Sequence, residues 1–273
     1  MTLTIQKIGP PREMGHARLI GKSVDHESGS STLRHQHDVV QLLYAISGVM
    51  RVITPYGQWI VPPNRGIWVP AGVWHEVHML AWVEMRTVYI QPDALPNLPA
   101  QCCVLAISPL LRELILAAVH IEGPHPANSR EGHIIELLLN EITNLPTLPM
   151  VLPMPQDKAL RHICDTLLAT PDDGRTTKDW AQKINVDART LQRRFSKITG
   201  MTFGEWRRQA RLLKALERLA TGERIINVAL ESGYASPSAF SAMFKRQFGV
   251  APSEFFSDHA DPLTTRPKVV MNY

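Results

Sequence analysis

Apolar positions recur with a helical period through the last third of the chain, and the pattern occurs twice. Leu191 and Phe195 stand four apart, as do Phe240 and Phe244, so each pair falls on one helix face. A shift of 49 positions lays Leu191 on Phe240, Phe195 on Phe244, Gly200 on Gly249 and Trp206 on Phe255, whereas Ala181 and Ala229 are 48 apart. The second copy therefore carries one extra residue in its turn, and a repeat of this kind fixes the fold reading before other features do. Each copy predicts a helix, a short turn and a second helix. In the first, 177–184 is helical, Asn185-Val186-Asp187 turns, and Asp187 caps a helix over 188–197. In the second, 226–232 is helical, Gly233 stops it, and Ser236 caps the next helix with Pro237 at its first position. Between the copies, Thr202-Phe-Gly-Glu205 has the form of a capping box. It predicts a helix to about residue 220, roughly 28 Å long at 1.5 Å per residue, with Trp206, Leu213, Leu216 and Ala220 on its apolar side.

Upstream the period changes. Short apolar or alternating runs at 41–46, 49–54, 58–61, 66–69, 76–80 and 85–90 are punctuated by Gly48, Pro55-Tyr-Gly57, Pro62-Pro63 and Pro70-Ala-Gly72. Many short strands at this spacing predict a sandwich or small barrel. Residues 108–145 turn helical: Ser108 caps 109–121, and Ile134, Ile135, Leu138 and Ile142 form a stripe on a second segment over 131–145. That stripe suits either its own barrel or a second copy of the chain. Four prolines, at 146, 149, 153 and 155, then predict an extended, semi-rigid linker.

Composition and charge sharpen this division. A length of 273 residues holds two modest domains. Residues 1–150 contain ten Lys/Arg and twelve Asp/Glu, a net −2; residues 151–273 contain nineteen and thirteen, a net +6; together they give +4. The basic half is the half with the repeat, as expected when one domain meets nucleic acid. From Arg189 to Arg218 there are nine Lys/Arg and two Asp/Glu. The start of the chain lacks the apolar core of a signal peptide, and no run approaches the ~20 residues that span a bilayer. A cytoplasmic protein without membrane contact is expected. Cys102, Cys103 and Cys164 are odd in number, which argues against a disulfide framework; they read as buried structural thiols, or Cys102 and Cys103 as a redox pair.

The faces opposite the apolar pairs carry the candidate chemistry. The first copy shows Arg189, Thr190, Gln192, Arg193 and Lys197; the second shows Ser236, Pro237, Ser238, Ser241, Lys245 and Arg246. Arg suits guanine, Gln suits adenine, and Lys suits phosphate. A rigid spacer between the copies nearly matches the ~34 Å between successive major-groove faces of a duplex. Along it Arg207, Arg211, Lys214 and Arg218 recur at helical spacing, a basic stripe expected to meet phosphates.

Residues 160–257 resemble the DNA-binding domain of the AraC/XylS family of bacterial transcription regulators. The resemblance rests on Trp180-Ala181, Leu191-Gln-Arg-Arg-Phe195, Gly200, Ala229 with Gly233-Tyr234, Ser236, Phe240, Phe244-Lys-Arg-Gln-Phe248-Gly249 and Pro252-Ser253-Glu-Phe255. It implies two helix-turn-helix units joined by one helix, binding adjacent major grooves of double-stranded promoter DNA. It also implies a small-molecule effector, a homodimer, RNA polymerase as partner where the member is an activator rather than a repressor, and control of a neighbouring gene such as one for an efflux transporter. One departure is Ala242, which aligns with Arg193 at a position where the family often places a base-contacting side chain.

His35-Gln-His37, Gln41 and Gly48, followed by Gly66-Ile-Trp-Val-Pro70-Ala-Gly72-Val-Trp-His75, resemble the two motifs of the cupin barrel. Metal-binding cupins use His, His and Glu from the first motif and His from the second; here Gln41 stands in place of the carboxylate. Two readings follow. His35, His37, Gln41 and His75 line an effector pocket that needs no cofactor, or the imidazoles hold a transition metal, as in a metal-dependent cupin enzyme fused to a DNA-binding domain. Tyr44, Trp59, Trp68 and Trp74 read as pocket lining or as core. The expected fold is thus mixed: an N-terminal all-β cupin-like barrel followed by helices, then an all-α domain with two helix-turn-helix motifs joined by a linker helix. The expected boundaries are 1–100 for the sensor, 101–145 for the helical dimerisation or packing segment, 146–156 for the linker, 157–257 for the DNA-binding domain and 258–273 for a flexible tail.

Overall fold

In a computed structural model of the chain, residues 5–6, 14–15, 17–63, 65–95, 99–123, 125–145, 147–148, 151–248 and 251–255 are described. Gly249, the side chain of Phe255 and the expected tail lie outside the described residues. Among the described residues, twelve strands pair into two sheets. One joins β1 (Ile5–Gln6), β3 (Ser31–Thr32), β8 (Glu76–Met79), β5 (Met50–Thr54), β6 (Gly57–Val61) and β12 (Val151–Pro153), in that order. The other joins β11 (Thr147–Leu148), β10 (Cys103–Ala106), β7 (Arg65–Val69), β4 (Val40–Ala45), β9 (Val83–Ile90) and β2 (Leu19–His26). Every described pairing is antiparallel except β1 with β3.

Strand alternation decides what lies between the sheets. Leu43 and Ala45 of β4, Val52 of β5, Trp59 and Val61 of β6, Val77 and Met79 of β8, and Val83 and Met85 of β9 form one buried cluster that fills the interior. The intervening residues Leu42, Tyr44, Trp68, Val88 and Ile90 point out of the second sheet onto α1 (Pro109–Ala118) and α2 (Arg130–Thr143). This explains why all six residues of β4 are buried: the sheet is covered on both faces. Between β4 and β5 the chain turns at Gly48, whose φ is +83° and where a Cβ would stand 2.1 Å from the Trp82 carbonyl oxygen. Only glycine fits there.

Two expectations need correction, and one pair of alternatives narrows to its first member. The sheet continues past residue 100, because Cys103–Ala106 pairs with β7. Ile135, Leu138, Leu139 and Ile142 of α2, with Leu111 and Ile115 of α1, are buried against their own barrel, so the apolar stripe is not left free for a second copy. The proline-rich stretch is also not a free spacer: β11 pairs with β10, and β12 pairs with the edge of β6. Pro153 is tolerated because an edge strand needs no inward N–H from it.

The remaining helices build a second core. They are α3 (Lys158–Ala169), α4 (Thr177–Lys183), α5 (Ala188–Thr199), α6 (Phe203–Ala220), α7 (Ile225–Glu231), α8 (Pro237–Phe248) and α9 (Pro252–Phe255). Their cluster takes in Val49 and Ile60 of the barrel, Leu152 of β12 and the adjoining Met154. The helix α6 thus lies on the outer face of the first sheet. Arg51 Nη1 on β5 donates to Glu217 Oε1 on α6 at 3.1 Å, and Lys214 Nζ holds the other oxygen at 2.7 Å. Trp206 Nε1 donates to the Pro153 carbonyl oxygen at 2.7 Å.

Candidate functional site

The two reading units share their backbone as well as their sequence pattern. In the first, Val186 N–H donates to the Ala181 carbonyl (3.0 Å) and Asn185 has φ +55°. In the second, Tyr234 N–H donates to the Ala229 carbonyl (3.1 Å) and Gly233 has φ +76°. Both turns therefore reverse through a left-handed residue at equivalent positions, which Asn and Gly adopt at least cost. Asp187 caps α5 by accepting from Thr190 N–H at 2.8 Å, and Ser236 caps α8 by accepting from Ala239 N–H at 3.1 Å. Leu191 and Phe195 of α5, and Phe240 and Phe244 of α8, are fully buried. The opposite faces turn to solvent.

On α5, Arg189, Gln192, Arg193 and Lys197 are exposed, and on α8 Ser238, Lys245 and Arg246 are exposed. None of these side chains has an intramolecular hydrogen bond or ion pair among the described residues. Pro237 and Ser241 are half-buried beside them, and Ala242 is exposed. Two of the candidates have structural partners. Thr190 Oγ1 donates to Asp187 Oδ2 at 2.8 Å, and Ser236 Oγ is the cap of α8. Ser236→Ala is expected to lower the unfolding free energy by about 1 kcal/mol, measured by urea titration, with Ser236→Gly nearly neutral; equal losses in both variants would contradict the capping role.

The expected basic stripe on α6 needs correction. Arg207 donates to the carbonyl oxygens of Arg175 and Asp173, and Arg211 Nε donates to that of Pro171 at 2.8 Å. Lys214 pairs with Glu217, and Arg218 pairs with Glu223 and Glu231. Arg207 and Arg211 lock the loop before α4 onto the rod, and Arg218 ties down both the turn before α7 and its last residue. Of the rod's five cations only Arg208 is left exposed among the described residues; the other free cationic side chains of this half considered for DNA contact lie on the reading helices, where the duplex contact is expected.

At one end of the barrel the inward-facing positions become polar. Gln41 continues the inward series of Leu43 and Ala45; Thr87 and Tyr89 continue that of Val83 and Met85; His75 continues that of Val77 and Met79. His35 and His37 come in from the loop before β4, where His35 and His75 exchange backbone hydrogen bonds at 2.9 and 2.8 Å. The structure brings His35, His37, His75 and Gln41 together. Ring centroids are 4.3 Å apart for His35 and His75, 5.1 Å for His37 and His75, and 5.9 Å for His35 and His37. Gln41 Oε1 lies 2.8 Å from His37 Nε2 and 3.2 Å from His75 Nε2, while Gln41 Nε2 lies 3.0 Å from Thr87 Oγ1 and 3.1 Å from the Tyr89 hydroxyl. Burial is the main reason that His75 is held down to about 4 and that His35 is lowered.

Thr87 and Tyr89 escaped the sequence reading; the alternation of 83, 85, 87 and 89 was the available signal. Among the four aromatic candidates, Trp59 fills the barrel, Tyr44 and Trp68 pack under the helices, and Trp74 is exposed at the rim beneath the Arg34 guanidinium (5.6 Å). All three cysteines are free, and burial pushes Cys102 up to about 12 and Cys103 up to about 11. Thiols held so far from the thiolate form are poor redox sensors.

Known proteins carry the same two parts. A family profile for an AraC-like ligand-binding domain matches residues 23–143, and one for a helix-turn-helix domain matches residues 180–258. The HTH-type transcriptional regulator NimR of Escherichia coli is 32% identical over 223 residues, covering 82% of this chain and 81% of NimR. Regulatory protein SoxS of Escherichia coli is 42% identical over 76 residues, covering 28% of this chain and 71% of SoxS. Among solved structures, ToxT from Vibrio cholerae superposes with a TM-score of 0.38 at 14% identity, covering 88% of this chain and 98% of ToxT. The two profiles and the NimR alignment establish that the chain belongs to the AraC family of transcription regulators, with an AraC-like ligand-binding domain ahead of a helix-turn-helix DNA-binding domain.

Proposed function

We propose that the protein reads promoter DNA with α5 and α8 in successive major grooves, and that a small effector bound at the histidine end of the barrel changes the affinity of that reading. The first half is carried by one contrast: Arg189, Arg193 and Lys197 of α5 and Lys245 and Arg246 of α8 are exposed, with no side-chain hydrogen bond or ion pair among the described residues, whereas four of the rod's five cations, Arg207, Arg211, Lys214 and Arg218, are engaged inside the protein. Arg189, Gln192, Arg193 and Lys197 supply the base and phosphate contacts of the first unit; Ser238, Ser241, Lys245 and Arg246 supply those of the second. With Ala242 opposite the role of Arg193, the second unit contributes more to affinity than to sequence discrimination.

The proposed domains are a cupin-like sensor with its packed helices over the first part of the chain and the reader from 157 onward, joined by strands paired to the barrel. The signal route follows the sheet. His75 precedes β8, His78 of β8 stands opposite Arg51 of β5, and Arg51 holds Glu217 on α6. A shift at the triad is thereby delivered to the rod that sets the spacing of both heads. We read the protein as a non-enzymatic cytoplasmic regulator that acts as a homodimer and, where it activates, contacts RNA polymerase. No described helix is long and apolar enough to cross a membrane. Selection of bound sequences from random duplexes with the full chain tests the reading. Enrichment of a two-part site spanning adjacent helical turns is expected; enrichment of a single short site, or of none, would contradict it.

A further inference from the structure

We propose that the cleft between the rod, the loop ahead of α4 and the end of α7 binds one small zwitterion, a free α-amino acid, at a site separate from the barrel. The cleft has a volume of about 300 Å³, and its lining includes Thr170, Asp172, Lys214, Arg218, Glu231 and Ser232. That volume is at the lower end for small-molecule sites and suits a compound of amino-acid size. Three of these side chains come to the cleft without partners. Ser232 is only 1% exposed, yet its hydroxyl makes no hydrogen bond among the described residues. The Thr170 hydroxyl and the Asp172 carboxylate make none either. Buried hydroxyls are ordinarily bonded, so Ser232 offers an unused donor and acceptor to whatever occupies the cleft.

Charge selects the class of occupant. Lys214 and Arg218 stand one turn apart on one face of the rod. Lys214 Nζ gives one bond to Glu217 at 2.7 Å and keeps two donors. Arg218 holds Glu223 through Nε and Nη2, and Glu231 through Nη2 at 2.6 Å, which leaves both hydrogens of Nη1. Together the two cations suit a carboxylate. The loop and α7 supply the opposite sign. Thr170 closes α3 and Ser232 closes α7, so two helix C-termini meet Asp172 and Glu231 here. Carbonyl ends and carboxylates together favour an ammonium group. A lone anion would face these acids, and a lone cation would face Lys214 and Arg218. A molecule carrying both charges on neighbouring carbons satisfies both sides. Thr170 and Asp172 lead into the first reading unit, and Glu231 and Ser232 end the first helix of the second, so the bound molecule ties both units to the rod. On the two-headed reading, on which this consequence rests, it fixes the angle between the heads and alters duplex affinity.

The test titrates the full chain by calorimetry with each common L-α-amino acid singly, and with the amine and the carboxylic acid that each becomes when one charge is deleted. One amino acid per chain is expected to bind, and neither single-charge analogue. Asp172→Asn should weaken it by about 10–100-fold and Ser232→Ala by about 2–10-fold. Neither side chain has an intramolecular bond among the described residues, so both variants should keep the wild-type circular dichroism spectrum and urea midpoint. No binding by any amino acid, equal binding of a single-charge analogue, or binding that both variants leave unchanged would overturn the proposal. Affinity for a selected duplex reads the consequence separately. The same duplex affinity with and without the bound amino acid would refute the regulatory role of the cleft, whereas a failure to bind any duplex would refute the two-headed reading and leave the calorimetric test of the site intact.

Discussion

Trp206→Ala is expected to lower the unfolding free energy by about 3–5 kcal/mol and to abolish duplex binding as a consequence. Trp206 is fully buried at the start of α6, 5.9 Å from the Phe195 ring, while Phe195 lies edge-on to Phe203 at 5.2 Å. Removing the indole opens a cavity where the first reading unit, the rod and β12 meet, and few side chains there are free to collapse into it. It also deletes the hydrogen bond to the Pro153 carbonyl oxygen. Trp206→Phe separates these effects, because it keeps most of the volume and loses only the N–H; about 1 kcal/mol is expected. Chemical denaturation followed by circular dichroism measures both. A loss below ~1.5 kcal/mol for the alanine variant would mean that this junction is not a shared core.

Arg193→Ala is expected to weaken binding to the selected duplex by about 1–3 kcal/mol and to relax preference at one base pair. The side chain is exposed on the outer face of α5, without an intramolecular partner among the described residues, so its removal leaves the fold intact. Lys197→Ala, one turn further along, should weaken all sequences alike and flatten the salt dependence by about one counterion. Fluorescence-anisotropy titrations at several salt concentrations distinguish the two. If Arg193→Ala lost affinity uniformly, α5 would be a phosphate clamp rather than a reader.

Which features the chain shows in one dimension follows from the range of the interactions that set them. The reading units were legible because caps, turns and i,i+4 pairs are local: Asp187, Ser236, the Thr202 and Glu205 capping box, and both apolar pairs stand where the pattern places them. The histidine cluster was legible because its two motifs flank short strands of fixed alternation. Thr87 and Tyr89 were not, since their meeting with Gln41 depends on the register of β9 against β4, where Gln41 faces Tyr89 and Leu43 faces Thr87. The same limit explains the rod. Helical spacing puts Arg207, Arg211, Lys214 and Arg218 on one stripe, but only the tertiary structure brings Asp173, Arg175 and Pro171 to the first two and Glu231 to the last. Four prolines read as a linker because proline disfavours an inner strand; the open edge of β6 and the strand β10 gave this segment partners that no local rule reveals.

Hydroxyl-radical footprinting of the full chain on its selected duplex tests the two-headed reading most directly. Two protected patches on one face of the duplex, centred about 10 base pairs apart, are expected, with Arg193→Ala weakening one and the Lys245→Ala, Arg246→Ala pair weakening the other. A single patch, or two patches that both respond to the α5 substitution and neither to the α8 pair, would contradict it.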